Sequence, residues 1–512
     1  MAEVAMSTPT PIFNDVAGSP PLVAPGAGAG AGQPPVVRAG LGTRLIYGFG
    51  SIAFGVKDNG FQTILLIFYN QVVGLPAAMV GLAIMIALVS DAIMDPIIGQ
   101  WSDNVRSRWG RRHPFMYASA IPLGLSYLLL WNPPHTSQGL QFLYLVVTAI
   151  IVRTFISVYE APSSALGPEL TTDYAERTSL VAYRSAFAWL GGLAMYFLAF
   201  TVLLKPDATH KIGQLNPVGY AHYGMVAGAV MVGAILISAL GTHGRIKTLT
   251  LPPARKASFG TLLRETGETL KHRSFLMLLV SILFSSAATG VAFSMSVYFY
   301  TYVWALSAVQ ISIFAIVNLA SAMIAISLAS QLSKRNKRNA TIWLFVIGLA
   351  ISTTPLSLRL LGVFPPNGSP ILFPLLISFG LVGLSPIIAA VTLGISMIAD
   401  VVEDSQLRTG RRSEGLFFSA ASFTQKAVSG LGIFISGAIL SFVHFPANAG
   451  RGGTVDPAII RHLALVYLPT VVLGYLIAGA WLLGYRITRE SHEANLLLLA
   501  EAGEAIPLVP GA

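Results

Sequence analysis

Long apolar stretches recur along most of the chain and set the strictest limit on its fold. A helix needs about 20 predominantly apolar residues to cross a hydrocarbon core of about 30 Å. Twelve stretches are long enough, so the sequence predicts an all-α membrane protein with twelve transmembrane helices, which we call spans 1 to 12. Their approximate ranges are 43–72, 77–101, 114–132, 138–167, 180–204, 219–241, 274–303, 307–331, 339–360, 370–399, 414–443 and 460–486.

The composition agrees with a membrane protein and argues against soluble classes. Hydrophobic residues make up 54% of the 512 residues and charged residues only 11%, whereas average soluble domains contain about 25% charged residues. The chain has no cysteine, which excludes disulfides and thiolate chemistry. No H-E-x-x-H, G-x-S-x-G or phosphate-binding loop occurs. The sequence therefore predicts neither an enzyme nor a cofactor.

Basic residues are concentrated in alternate loops and predict the orientation. The loops after spans 2, 4, 6, 8 and 10 contain nineteen Lys and Arg residues. The other loops contain Lys205, Lys211 and Arg451, with Arg359 and Arg461 at their edges. Because basic loops stay in the cytoplasm, we expect both termini there, in a multi-pass protein of the plasma membrane (a bacterial inner membrane). The net charge of +10 follows from this bias and requires no nucleic-acid partner.

The longest basic loop divides the chain into two sets of six spans, a layout of transporters built from two halves. Because one chain contains both halves of a central cavity, we predict a monomer. The predicted segments are a disordered N-terminal tail (1–40), an N-terminal six-helix bundle (41–241), a central cytoplasmic loop (242–273), a C-terminal six-helix bundle (274–487) and a cytoplasmic tail (488–512).

Eight charged residues lie inside the apolar spans, at least four residues from either end. A charge at bilayer depth costs at least ~2.5–3.5 kcal/mol on insertion scales and usually faces a protein-lined or watery cavity. Asp91 and Asp95 are four residues apart, so they share one face of span 2. The set predicts a polar pathway through the protein. It consists of Lys57, Asp58, Asp91, Asp95, Arg153, Glu160, Arg184 and Lys426.

Two charged clusters at the predicted cytoplasmic face indicate a gate. A carboxylate at a helix C-terminus lies at the negative end of the helix dipole and needs a cationic partner. We predict ion pairs that latch this side and break as the halves move. The alternatives are arginines that only anchor an inner loop in the first cluster and a solvated loop in the second. The predicted gate residues are Asp103, Arg108, Arg111 and Arg112 after span 2, and Asp400 and Arg408 after span 10.

These motifs resemble those of the glycoside–pentoside–hexuronide:cation symporter family (melibiose permease-like) of the major facilitator superfamily. The resemblance implies two six-helix bundles around a central cavity that work by alternating access. The similar blocks are Gly48–Gly60 with Asp58, Val89–Gly99 with both aspartates, Arg106–Gly110, Pro168–Asp173, Arg184, Ala399–Asp404 and Glu414–Ser419.

The resemblance also implies a cation site and a solute site. Sodium and lithium prefer clustered oxygen ligands, while a desolvated carboxylate cluster can also take a proton. The coupling ion, Na⁺ or H⁺, therefore stays open. The implied cation-site residues are Asp91 and Asp95, which are the metal ligands if the ion is Na⁺, with Ser157 and Glu160. The implied solute-site residues are Asp58, Arg184 and Lys426, with Lys57 beside Asp58.

Structural roles remain the alternative for several of these residues. Asp91 and Asp95 could serve only as helix-packing ion pairs, and Lys57 only as a counter-ion to Asp58. Arg184 and Lys426 could extend toward the membrane interface.

The chain departs from the family at four positions of the implied sites, one of which is Glu160, one methylene longer than the family's usual aspartate or asparagine. Ser164 and Val391 stand where the family has sugar-stacking tryptophans. Arg153 is an additional cation seven residues before Glu160, about 10.5 Å along nearly the same helix face. It can pair with Asp58 or with Asp91. Because a fixed positive charge opposes Na⁺ binding, we hypothesise proton coupling, weak Na⁺ coupling or uniport.

The sequence thus predicts a cation-coupled secondary transporter that imports a glycoside, a sugar or a similar hydroxylated solute. The alternative is a symporter of an amphipathic solute such as a lysolipid, which would tolerate a cavity without tryptophans. A membrane-embedded enzyme or a sensor without transport has less support. The predicted partners are a small solute, a monovalent cation and the lipid bilayer.

Overall fold

The computed structural model describes most of the predicted membrane part of the chain. Every regular element within the described residues is a helix. Residues 1–37, most of the loop 242–273, and much of the tail 488–512 lie outside this part, so the predictions made for them are not addressed. The described residues are 38–171, 173–246, 272–409, 414–447, 449, 455–488, 490–495 and 497–498.

The helices follow the predicted order of spans. Of the described helices, nine are long and apolar enough to cross a membrane. Span 1 is divided into Leu41–Phe49, Ile52–Asn59, a π-helical turn Gly60–Ile64, Leu65–Ile67 and a π-helical turn Phe68–Val73. Spans 2 to 6 are Ala77–Asn104, His113–Leu130, Gln138–Leu170, Tyr174–Leu198 with a π-helical turn Ala199–Leu203, and Pro217–His243. Spans 7 to 12 are Arg273–Tyr298 with a π-helical turn Phe299–Val303, Ala308–Leu332, Lys337–Leu360, Leu372–Thr409, Glu414–Phe442 and Pro457–Leu482.

Polar residues begin several spans because the first N–H groups of a helix have no partner within it. Asp173 accepts a hydrogen bond from the Glu176 N–H at the start of span 5. Ser307 and Gln310 form a reciprocal capping box at the start of span 8. Asp456 accepts the N–H two residues further on at the start of span 12. These caps fix the loop-to-span boundaries.

The chain is already packed at residue 39, inside the segment predicted as the N-terminal tail. Ala39 is fully buried, and its N–H donates to Glu176 Oε2 at 2.7 Å. Arg44 of span 1 pairs with the other oxygen of the same carboxylate at 2.7 Å. Glu176 therefore ties the start of span 1 to the start of span 5.

Glycines allow several spans to touch backbone to backbone, as small residues commonly do in membrane helix pairs. A Cβ on Gly55 of span 1 would lie 1.8 Å from the carbonyl oxygen of Ala188 in span 5. A Cβ on Gly192 of span 5 would in turn lie 2.7 Å from the Gly55 carbonyl oxygen. Spans 3 and 6 meet in the same way at Gly124 and Gly228. These contacts leave no room for side chains.

Hydrogen bonds join the first six spans to the last six at the end predicted to lie outside. Gly437 of span 11 also packs there against the Ala77 backbone of span 2. We call this group of contacts the outer closure. Its bonds run from Gln71 Nε2 to the Pro446 carbonyl (3.0 Å), from the Tyr302 hydroxyl to Gln71 Oε1 (2.7 Å), from the Tyr298 hydroxyl to Asn70 Oδ1 (2.9 Å), from Gln214 Nε2 to Thr301 Oγ1 (3.0 Å) and from the Ala78 N–H to Ser441 Oγ (3.0 Å).

The contact of spans 1 and 5 predicts a sharp difference between two glycine substitutions. Gly55→Ala should lower the free energy of unfolding by about 1–3 kcal/mol, because the added methyl group meets a backbone oxygen. The control is Gly233→Ala in span 6, where a Cβ meets nothing within 4 Å and where alanine should stabilise by about 0.5–1 kcal/mol. Thermal unfolding in detergent measures both. Equal melting temperatures for Gly55→Ala and wild type would contradict the described packing.

Candidate solute and cation site

Asp91 of span 2 is held by two side chains of span 4. Arg153 Nη1 donates to Asp91 Oδ2 at 2.9 Å, and Ser157 Oγ donates to Asp91 Oδ1 at 2.7 Å. Arg153 and Ser157 are one helical turn apart and therefore share a face. Arg153 is 4% exposed and Asp91 8% exposed. Of the two partners that the sequence allowed for Arg153, the structure pairs it with Asp91.

The same face of span 4 continues to Glu160, which pairs with span 5. Arg184 Nη2 donates to Glu160 Oε1, and Arg184 Nη1 donates to the Tyr47 hydroxyl at 3.1 Å. That hydroxyl in turn donates to the Ser163 carbonyl at 2.9 Å. Arg184 is 9% exposed. Its guanidinium thus lies among spans 1, 4 and 5. Because Arg184 was predicted for the solute site and Glu160 for the cation site, this ion pair joins the two predicted sites.

The third acid, Asp58, lies in span 1, two residues before the start of its first π-helical turn, Gly60–Ile64. Lys57 Nζ lies 3.7 Å from Asp58 Oδ1, and Gln62 Nε2 donates to Asp58 Oδ2 at 2.7 Å. Lys57 is buried, with its ammonium 4.4 Å from the centre of the Phe54 ring. Widened π-helical turns often mark functional positions in membrane and soluble helices.

In two of these ion pairs, Asp58–Lys57 and Glu160–Arg184, the acidic side chain is more exposed than its basic partner. The Asp58 side chain is 37% exposed and the Lys57 side chain 3%. For Glu160 and Arg184 the values are 26% and 10%. An exposed carboxylate at membrane depth must face a polar cavity rather than lipid. These two acids are therefore the candidates for contact with a polar solute.

The remaining predicted site residues are placed less completely. Asp95 is half-buried in span 2, one turn after Asp91. Lys426 lies in the span 11 helix and Arg408 near the end of the span 10 helix, but their side chains lie outside the described part. Within the described residues, no three His, Asp or Glu side chains converge as a metal-binding cluster.

A compact ion-pair cluster lies at the predicted cytoplasmic ends of spans 2, 3 and 4. Arg112 contacts Asp103 at 2.5 Å and Glu169 at 3.2 Å, and it donates to Ser102 Oγ at 2.7 Å. Arg111 contacts Glu169 at 2.7 Å. The predicted partnership of Asp103 with a nearby arginine is present in this geometry, and it lies within the first six spans. Its role as a latch stays a prediction.

The second predicted gate cluster lies within the last six spans. Lys337 at the start of span 9 donates to both oxygens of Asp400, at 2.7 and 2.9 Å. His272 at the start of span 7 contacts Asp404 at 2.7 Å.

Arg108 of the first cluster is exposed and lies 5.3 Å from the centre of the Trp109 ring. The structure thus does not bring Arg108 to Asp103.

Comparison with known proteins assigns the family. Residues 46–489 match the family described as MFS/sugar transport protein. The chain belongs to this family. It is therefore a multi-pass membrane transporter of the cation-symporter type and not an enzyme.

Curated relatives of the family match over most of the chain. An uncharacterized symporter of Synechocystis sp. is 28% identical, over 88% of this chain and 95% of the relative. The isoprimeverose transporter of Lactiplantibacillus pentosus is 25% identical, over 87% and 88%. The sodium-dependent lysophosphatidylcholine symporter 1 of Gallus gallus is 23% identical, over 91% and 90%.

The fold is shared with solved transporters. The inward-open structure of the Escherichia coli xylose transporter superposes with a TM-score of 0.58 at 16% identity, over 89% of this chain and 98% of that chain. The predicted major facilitator fold and the predicted family are thus confirmed.

Glu169, Gln62 and Tyr47 are among the contacting residues that were not singled out from the sequence. Glu169 follows a proline at the end of span 4, opposite two arginines of the neighbouring basic loop, and this charge complementarity could have indicated it. Gln62 is four residues after Asp58 and therefore on its face. Tyr47 gives no signal beyond a hydroxyl in an apolar span.

The Glu160–Arg184 pair predicts a stability difference. Glu160→Gln leaves a buried guanidinium without its carboxylate, so the free energy of unfolding should fall by about 3–5 kcal/mol. The control is Glu490→Gln, which removes an exposed carboxylate and should change stability by no more than about 0.5 kcal/mol. Denaturation of both purified variants in detergent measures the effect. Glu160→Gln with wild-type stability would show that the pair contributes nothing to folding.

Proposed function

We propose that this chain imports a sugar, a glycoside or a similar hydroxylated solute together with a cation by alternating access. The observation that carries the proposal is the presence of two partly exposed carboxylates at membrane depth, Asp58 beside the buried Lys57 and Glu160 beside the buried Arg184. The two sets of six spans, 41–241 and 274–487, are the moving halves, and the inner membrane of a bacterium is the location.

The chemistry of these side chains suits a solute rich in hydroxyl groups. A hydroxyl both donates and accepts, a carboxylate accepts, and a guanidinium offers five donors. Hydrogen bonds to charged groups are about twice as strong as neutral ones. Glu160 Oε2 has no hydrogen-bond partner among the described residues, and a buried acceptor requires one. A solute hydroxyl or a water molecule can supply it. The isoprimeverose transporter among the relatives agrees with this class of solute.

Alternating access requires the outer closure to open. Its hydrogen bonds involve only neutral side chains and backbone groups, and each such bond contributes about 0.5–1.5 kcal/mol to stability. Such bonds can be exchanged for water as the halves separate. The described ion pairs of the cytoplasmic clusters lie within one half each, so the predicted latch would require these residues to exchange partners between the halves.

An amphipathic solute such as a lysolipid is the second candidate, and one observation favours it. Val391, at a position where the family resemblance implies a tryptophan, lines a mainly apolar pocket with Ile282, Phe345 and Ile395. Ser164, at the other such position, is exposed. A mainly apolar pocket without a tryptophan can accept an acyl chain. The lysophosphatidylcholine symporter among the relatives belongs to this class.

Counterflow in proteoliposomes decides between the two solutes. We expect labelled mono- and disaccharides or glycosides to exchange, with labelled lysolipid at background. Asp58→Asn should weaken solute affinity at least about tenfold, because a charged acceptor facing the cavity is lost. Glu490→Gln is the matched control and should leave affinity unchanged. Exchange of lysolipid alone would replace the proposal by the second candidate, and exchange of neither would overturn both.

A further inference from the structure

Asp91 is already neutralised by a basic side chain of the same chain. Its Oδ2 accepts from Arg153 Nη1 at 2.9 Å and its Oδ1 from Ser157 Oγ at 2.7 Å. Both oxygens therefore already accept a hydrogen bond, and the Arg153 guanidinium supplies the positive charge that a bound cation would otherwise bring. The family resemblance places the coupling cation at this carboxylate, so the residues present here do not fit a sodium ion.

The position of Arg153 is fixed by more than one contact. Its guanidinium lies 4.8 Å from the centre of the Phe61 ring of span 1, a cation–π geometry. The side chain is 4% exposed, so it does not extend to the membrane interface. An arginine is always charged and has no acceptor atom. It can donate to a carboxylate, but it cannot serve as a ligand to a metal ion.

A sodium ion at Asp91 would have to displace this guanidinium. The displaced charge would then be buried without its partner, which is strongly unfavourable. If the guanidinium stayed, two positive charges would lie within a few ångströms in a medium of low dielectric constant, where their repulsion is large. Neither arrangement favours sodium.

We propose that Arg153 is a resident counter-ion that takes the place of the coupling cation at Asp91 and so excludes sodium from this site. The proposal rests on the proposed symport function, since it states which cation the site rejects. Arg153 is thereby a specificity-determining residue that acts through Asp91. Removing its side chain should convert the Asp91 pocket into one that accepts sodium.

The test is the melting temperature of purified protein in sodium, lithium and potassium chloride at equal concentrations. Ligand binding to the folded state raises this temperature. We expect the wild type to melt at the same temperature in all three salts. Arg153→Gly should melt higher in sodium or lithium than in potassium, and the shift should saturate. Arg153→Lys keeps the positive charge and should show no shift, as should Arg335→Gly, which removes an exposed arginine.

Two results would overturn the proposal. One is a saturable, sodium-specific shift in the wild type. The other is a folded Arg153→Gly protein without any shift. Should Arg153→Gly fail to fold, the charge-neutral pair Asp91→Asn with Arg153→Gln replaces it. This double variant should fold and melt at the same temperature in all three salts, whereas Asp91→Asn alone should be unstable. In that case the contradicting result would be a sodium-specific shift in the double variant, because it would place a sodium site where neither the Asp91 carboxylate nor Arg153 is needed.

Because the test measures melting temperature, a failure of this inference can be told apart from a failure of the proposed function. Melting is measured without solute, so its outcome does not depend on which solute is carried. A failed solute panel would leave the sodium result standing, and a sodium-binding wild type would leave the solute panel standing.

Discussion

Charges inside a membrane must be neutralised by neighbouring side chains, because the hydrocarbon offers no water to solvate them. Three acid–base pairs meet this requirement in the first six spans. Asp91 pairs with Arg153, Glu160 with Arg184, and Asp58 with Lys57. The first two pairs join spans 2 and 4 and spans 4 and 5. The polar pathway and the arrangement of these spans thus depend on the same contacts.

Span 4 connects the two sites that the family resemblance kept apart. Arg153, Ser157 and Glu160 repeat at intervals of four and three residues, so they lie along one helix face. One end of this stripe contacts Asp91 and the other contacts Arg184. A rotation or shift of span 4 would change both contacts together. This is a physical route by which solute binding and ion binding can affect each other.

The sequence was sufficient to predict the helical membrane fold and the family, because each depends on local hydropathy or a short motif. It was not sufficient for the pairing of acids with bases. Arg153 had two equally plausible partners along the chain, and only helix packing selects Asp91. The pairing of Glu160 with Arg184 joins residues 24 positions apart that the resemblance assigned to different sites. Lys337 and Glu169 were missed because their partners come from other spans.

The most direct test of this account is the distance between the Arg153 guanidinium and the Asp91 carboxylate in wild-type protein. Cryo-electron microscopy in sodium-rich and in sodium-free buffer can measure it. The account predicts hydrogen-bond contact in both, close to the 2.9 Å described here. A guanidinium displaced from Asp91 in sodium, with an ion on the carboxylate in its place, would contradict the account.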